Sequence, residues 1–335
     1  MQTQTATTRE ITYAQAIQEA LDQAMGLCDD VIVMGQLVDY KSGIFGTTTG
    51  LVEKYGKNRV LDMPVAEAMM TSAAGGAALA GLRPVVVHQR LDFMLYSMDA
   101  IVNWISLWYF KSNGESRMPL TIRAITGKGW GQGPQHSKSF HAFFAHIPGL
   151  RVAMPSTAFD AKGLLLESIL GENPTFIIEG RSLFSMKDEV PEIPYRVRFG
   201  EGKIMKSGKD VTLVAIGTFV PLAMRAAFDL LKNGIDVEVI DPRTLSPFDN
   251  ALVCESVAKT GRLVVVDPGW NFSGFSAEVV AGVVEQVGSV LKANPIRVTL
   301  PDSHTPMSMS LESQYYPDEQ RLSDTITKLM RQNGL

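Results

Sequence analysis

At 335 residues the chain exceeds the roughly 250–300 at which one core stops growing, and 45% hydrophobic with 20% charged residues marks it as globular, so two domains are expected. A formal net charge of −4 argues against a dedicated nucleic-acid binder, and Cys28 and Cys254 alone cannot build a disulfide framework. With no run of about 20 apolar residues and a polar residue stretch 1–10 unlike a signal peptide, the expectation is a cytoplasmic α/β protein without a membrane span.

In chain order, the apolar periodicity predicts a helix over 13–25 and then strands at 31–34, 60–63, 84–88, 120–125, 151–154 and 175–179. Helices are expected between them at 67–82, 95–110, 138–146 and 158–170. Strands apolar on both faces, alternating with helices, predict a mostly parallel sheet covered on both sides. Periodicity lapses over 184–208, which holds Pro191 and Pro194 and reads as a linker with room for a short hairpin. A second series follows, with strands at 211–216, 237–240, 263–266 and 296–300 and helices at 220–232, 250–260, 276–287 and 317–331. Gly234 and Gly261 fall just past two of these helices, where a left-handed cap is expected. The boundary is placed near residue 195, giving domains 1–195 and 196–335.

Familiar motifs are absent: no phosphate loop, dinucleotide fingerprint, nucleophile elbow, H-E-x-x-H or C-x-x-C occurs. The run Gly127-Lys128-Gly129-Trp130-Gly131-Gln132-Gly133 suits positive φ and close approach of a ligand or backbone, although an ordinary strand-to-helix loop fits it equally. His136, His141 and His146 are spaced five apart, which would put them on different helical faces and disfavours a shared metal. Glu67 follows Pro64-Val65-Ala66 and precedes Ser72-Ala73-Ala74-Gly75-Gly76-Ala77-Ala78. Its plain reading is a carboxylate favoured by the helix dipole. The small residues also suggest close packing on another backbone, where an acid is poorly solvated, has a raised pKa and can share a proton.

These segments resemble the beta subunits of thiamine-diphosphate-dependent 2-oxo acid dehydrogenases of the pyruvate, branched-chain and acetoin type. The resemblance runs from Ile11 to the C-terminus. It is carried by Arg59-Val60-Leu61-Asp62-Met63-Pro64-Val65-Ala66-Glu67, Ala80-Gly81-Leu82-Arg83-Pro84 and Met98-Asp99-Ala100-Ile101-Val102-Asn103. Gln135-His136-Ser137, Pro148-Gly149-Leu150-Arg151-Val152 and Asp241-Pro242-Arg243-Thr244-Leu245-Ser246-Pro247 complete it. It implies an α/β fold: an N-terminal parallel-sheet pyrimidine-binding domain and a smaller transketolase C-terminal domain.

The resemblance also implies roles. The glutamate matching Glu67 hydrogen-bonds N1′ of the cofactor's aminopyrimidine in relatives, favouring the imino tautomer that takes the C2 proton. Val65 and Phe93 match residues lining the pyrimidine pocket, although a core role would look the same in sequence. His136 matches the active-site histidine that handles protons or charge on the substrate-derived intermediate or during transfer to lipoyl. His146 has a family counterpart and is read as structural, as are Asp99 and Asn103, four residues apart on one helical face. Carbonyl oxygens near Leu120, Ser168, Ile169, Gly171 and Asn173 match a potassium site of some relatives.

Departures accompany the match. Gly35-Gln36 stands where relatives carry Gly-Glu, an acid tied to proton traffic; Met69 and Ser72 replace glycines; His88, Gln89, Arg90 and Tyr96 also differ. Neither the Gly-Asp-Gly nor the Asn-Asn that hold the magnesium diphosphate occurs here. The resemblance therefore implies an alpha subunit that holds magnesium, a shared thiamine diphosphate and an α2β2 assembly. The first reading is a decarboxylating dehydrogenase subunit acting on a 2-oxo acid and passing an acyl group to a lipoyl carrier, with a lipoyl acyltransferase as further partner. A split transketolase-like carboligase transferring to an aldehyde, and a non-catalytic scaffold or regulatory subunit, stay open.

Overall fold

The structure is a computed structural model that describes residues 7–128 and 131–332. Its residues group into two compact units, one of 1–127 with 143–199 and one of 128–142 with 200–335.

The first unit contains β1 (Thr8–Thr12), β2 (Val31–Gly35), β3 (Val60–Asp62), β4 (Arg83–His88), β5 (Thr121–Thr126), β6 (Arg151–Ala153), β7 (Thr175–Gly180) and β8 (Lys187–Pro191). Six of these lie in the order β6-β7-β5-β4-β2-β3, every pair parallel. β2, β5 and β7 are buried along their whole length, so neither face of the sheet shows a polar alternation. On one face, Val31, Val33, Val85, Val87, Ile125 and Ile177 join a core closed by the helices Tyr13–Leu27 and Ala158–Ile169. The first of these helices starts at a capping box: Thr12 Oγ1 accepts from Gln15 N, while Gln15 Oε1 accepts from Thr12 N.

Two expectations between residues 95 and 146 need correction. The stretch predicted as one helix over 95–110 is a succession of short turns: Leu95–Ser97 (3₁₀), Met98–Ala100, Ile101–Ile105 (π) and Trp108–Lys111. Ser106 N reaches Ile101 O, five residues back, at 3.0 Å. The carbonyl of Ser106 then meets Gly149, whose φ is +82° and where a Cβ would sit 2.1 Å from that oxygen. Only glycine fits such an approach. The predicted helix over 138–146 is reduced to His141–Ala145.

The second unit contains β9 (Lys203–Lys206), β10 (Val211–Ala215), β11 (Val237–Asp241), β12 (Thr244–Ser246), β13 (Leu263–Trp270) and β14 (Ile296–Leu300). Its sheet has the order β14-β13-β10-β11-β9, parallel except for β9 against β11. Helices Val220–Lys232 and Glu319–Met330 pack together on it. Gly234 (φ +80°) and Gly261 (φ +72°) take the left-handed conformation expected of them, Gly261 as the cap of Asn250–Thr260. The linker forms no hairpin: β8 pairs antiparallel with β1, and β9 joins β11. No helix among the described residues is long and apolar enough to cross a membrane.

Candidate active site

Glu67 is the first residue of the helix Glu67–Leu79, which packs on β4. Its side chain is half-buried, and Gln36 Nε2, just past the end of β2, donates to Glu67 Oε1 at 3.4 Å. Gln36 is steadied in turn by Gln89 Nε2, which donates to its backbone oxygen at 3.2 Å. Three residues from the carboxyl ends of neighbouring parallel strands and a helix start thus converge, the edge at which open α/β sheets bind ligands.

Val65, two residues before Glu67, is 82% exposed, which removes its reading as a core residue. Phe93 lies on Leu91–Met94, a turn packed against the Glu67 helix, and is 38% exposed. Met69 and Tyr96 are exposed as well. Along the same helix Ala68, Ser72, Ala73 and Gly76 face outward, and a Cβ on Gly76 would touch nothing. The small size of that face answers no demand of this chain's own packing.

The second predicted catalytic residue, His136, belongs to the other compact unit, where it is half-buried in a loop whose backbone N–H reaches Gly133 O at 3.5 Å. Gly131 and Gly133 take positive φ, and a Cβ on Gly131 would lie 3.0 Å from Met307 O, so close backbone approach is realised there; Gly129 and Trp130 lie outside the described residues. His141 is fully buried. Its Nε2 lies 2.8 Å from Asp267 Oδ1, and its Nδ1 lies 2.8 Å from Ser139 Oγ. Burial pushes the Asp267 carboxyl up, but His141 and the donating amides of Gly269 and Ser276 outweigh it and hold the group below the usual carboxylate range. Neither partner has exposed surface, so the pair lies in the interior of that unit. His146 is exposed, and Asn103 Nδ2 donates to Asp99 Oδ1 at 2.7 Å on an exposed helical face.

At the carbonyls matched to potassium, a side chain already supplies positive charge. Arg83 Nη1 donates to Gly171 O at 2.6 Å and to Ile169 O at 3.4 Å, and Nη2 pairs with Glu172. Leu120 O accepts from Thr175 N, Ser168 O from Gly171 N and Asn173 O from Thr175 Oγ1. Ile169 and Gly171 therefore do not fit a bare cation. Among the described residues no group of three or more His, Cys, Asp or Glu comes together as metal ligands.

The divergent trio at the end of β4, His88, Gln89 and Arg90, separates into three tasks. Gln89 holds Gln36. Arg90 lies over the Phe45 ring at 5.8 Å, with Arg181 over the same ring at 4.5 Å, and burial lowers the pKa of both guanidiniums. His88 is 1% exposed, and burial pushes its pKa down from 6.5 to about 3.

That shift has a stability signature. Below about pH 6.5 the unfolded chain takes up a proton at His88 that the folded chain refuses. The stabilisation is complete above pH 6.5, declines by about 1.4 kcal/mol per pH unit below it and is exhausted near pH 3. Between pH 6.5 and about 5 the wild type should lose about 2 kcal/mol more than His88→Phe in urea unfolding. Parallel pH dependences of the two proteins would contradict this.

A profile described as "Transketolase, pyrimidine binding domain" matches residues 9–187, and "Transketolase, C-terminal domain" matches residues 200–322. Over 333 residues the chain is 38% identical to "Acetoin:2,6-dichlorophenolindophenol oxidoreductase subunit beta" of Cupriavidus necator, spanning 96% of this chain and 98% of that protein. It is 36% identical over 320 residues to "Pyruvate dehydrogenase E1 component subunit beta" of Rickettsia felis, again spanning 96% and 98%. A solved structure described as "Split gene transketolase, inactive beta4 tetramer" shares the fold with a TM-score of 0.78 at 24% identity, covering 96% of this chain and 99% of that one. Parallel sheet, helix-start glutamate and domain pair together define a transketolase-type protein. The chain belongs to the family that includes the beta subunits of pyruvate dehydrogenase E1 components and acetoin oxidoreductases.

Proposed function

We propose that the chain is the beta subunit of a thiamine-diphosphate-dependent 2-oxo acid dehydrogenase, with a pyrimidine-binding domain over 1–195 and a C-terminal domain over 196–335. The observation that carries the reading is Glu67: a half-buried carboxylate at a helix start, held by Gln36 beside the exposed apolar surfaces of Val65 and Phe93. An acceptor flanked by apolar faces fits the pyrimidine half of the cofactor. When bound, thiamine diphosphate supplies the electron sink for decarboxylation. Glu67 holds a proton or accepts a hydrogen bond at Oε, Phe93 offers a ring face, and Val65 keeps water away. His136 moves protons for the acyl transfer to a lipoyl carrier, borne by a lipoyl acyltransferase. Cys28 and Cys254, both free, suit a reducing cytoplasmic setting.

The other half of the site, with its magnesium, belongs to an alpha subunit in an α2β2 assembly. The outward small face of the Glu67 helix and the exposed Val65, Met69 and Tyr96 support that partner. Potassium could engage only the oxygens of Leu120, Ser168 and Asn173, since Arg83 serves the other two. Isothermal titration tests the division of labour. Thiamine diphosphate with magnesium should bind the complex with alpha at least about 100-fold, or about 2.7 kcal/mol, more tightly than the chain alone. Equal affinities would sink the proposal.

A further inference from the structure

The Glu67 helix carries a buried polar chain that the chemistry above leaves unused. Thr71 Oγ1 lies 3.0 Å from His88 Nε2 and 2.9 Å from Ser97 Oγ, and Ser97 Oγ donates to the backbone oxygen of Glu67 at 2.8 Å. Each hydroxyl has one proton to give. The Glu67 carbonyl has none, so Ser97 spends its proton there and must accept from Thr71. Thr71, its proton committed to Ser97, can only accept from the imidazole. The chain therefore runs one way, from His88 Nε2–H through Thr71 and Ser97 to Glu67. It fixes His88 as the neutral Nε2–H tautomer.

Burial supports that assignment. His88, Thr71 and Ser97 are at most 1% exposed, and His88 Nδ1 has no hydrogen-bond partner among the described residues, so a second proton there would be a buried, unpaired charge. The depressed pKa keeps the ring a neutral donor through the physiological range.

We propose that His88 is a positioning residue for Glu67, acting through Thr71 and Ser97 on the carbonyl of the helix's first residue. The proposal rests on the role given to Glu67 above. The helix start needs such an anchor: its N-cap is Ala66, which makes no side-chain cap bond, and helix ends without caps fray. Among the described residues the one hydrogen bond to the carboxylate, from Gln36 at 3.4 Å, is at the long limit of hydrogen-bond geometry. The three bonds of the chain are shorter and dry. They set where the Glu67 backbone sits, and misplacement of a proton-handling group is costly even when it is small.

The test uses the complex with the alpha subunit and the variants His88→Phe, His88→Gln, Thr71→Val and the double variant His88→Phe/Thr71→Val, beside Glu67→Gln. His88→Phe and Thr71→Val should each lower kcat about 10-fold with KM for the 2-oxo acid little changed. The double variant should be no worse than the poorer single one, because both cut the same chain. His88→Gln, which restores an N–H donor, should recover most of the turnover. Without cofactor, amide hydrogen exchange over residues 67–71 should quicken in the Phe and Val variants and stay slow in the Gln variant. Should His88→Phe fail to fold, Thr71→Val with its near-equal volume carries both readouts. Additive losses, or unchanged turnover and exchange in Thr71→Val, would overturn the proposal while a dead Glu67→Gln leaves the role of Glu67 standing. Normal turnover in Glu67→Gln would overturn that role and this proposal together.

Discussion

Glu67→Gln should reduce turnover of the reconstituted complex by about 100- to 1,000-fold while its thermal midpoint stays within roughly 2 °C of the wild type. The size follows from what the exchange removes. Glutamine keeps the volume and can still pair with Gln36, so the helix start loses no packing. It cannot take up and return a proton, and that step is worth two to four powers of ten where it limits the reaction. The paired measurement matters, because a fall in turnover with an equal fall in melting would signal a structural glutamate. Turnover within twofold of the wild type would falsify the role.

The largest stability effect is expected elsewhere in the same unit. Arg123 on β5 and Glu179 on β7 face each other within the sheet, both with side chains 0% exposed, through Nε to Oε1 at 2.5 Å and Nη2 to Oε2 at 2.9 Å. Two parallel bonds match the guanidinium fork to the carboxylate. Glu179→Ala removes the carboxylate and leaves the guanidinium buried without its counter-charge, at a cost of about 3–5 kcal/mol. Replacing both residues, as Arg123→Met with Glu179→Leu, removes the charge as well as the pair and should recover most of that loss. Urea unfolding checks both. A double variant less stable than Glu179→Ala would show that the ion pair contributes more than its desolvation costs.

How much of this was legible in the sequence depends on how local the signal is. Strands such as Val31–Gly35 and Val211–Ala215 stood out because both faces are buried, so their residues are apolar throughout the first and broken only by Thr212 in the second. β1 left no such trace: its burial alternates, and its partner β8 lies some 180 residues on. The 95–110 stretch has helical composition, yet the turn at Ile101–Ile105 widens to a five-residue repeat, which composition does not encode. Glu67 was visible because a proline-led turn and a run of small residues frame it. Its supporting chain was not. Thr71 meets His88 and Ser97 across 17 and 26 residues of sequence, and only tertiary packing joins them. Gln36 was legible as a departure from relatives, but its hydrogen bond to Glu67 emerged only from the ends of two elements meeting in space.

The course of the backbone has a practical outcome for dissecting the molecule. Because residues 128–142 belong with 200–335, the chain passes from one unit to the other three times, and no single cut liberates either intact. A fragment starting at Gly200 would be deprived of His141, the imidazole that lies against the wholly enclosed Asp267. Such a truncation strands an anion inside a protein interior, so the C-terminal half is inherited as a dependent piece rather than a free-standing module.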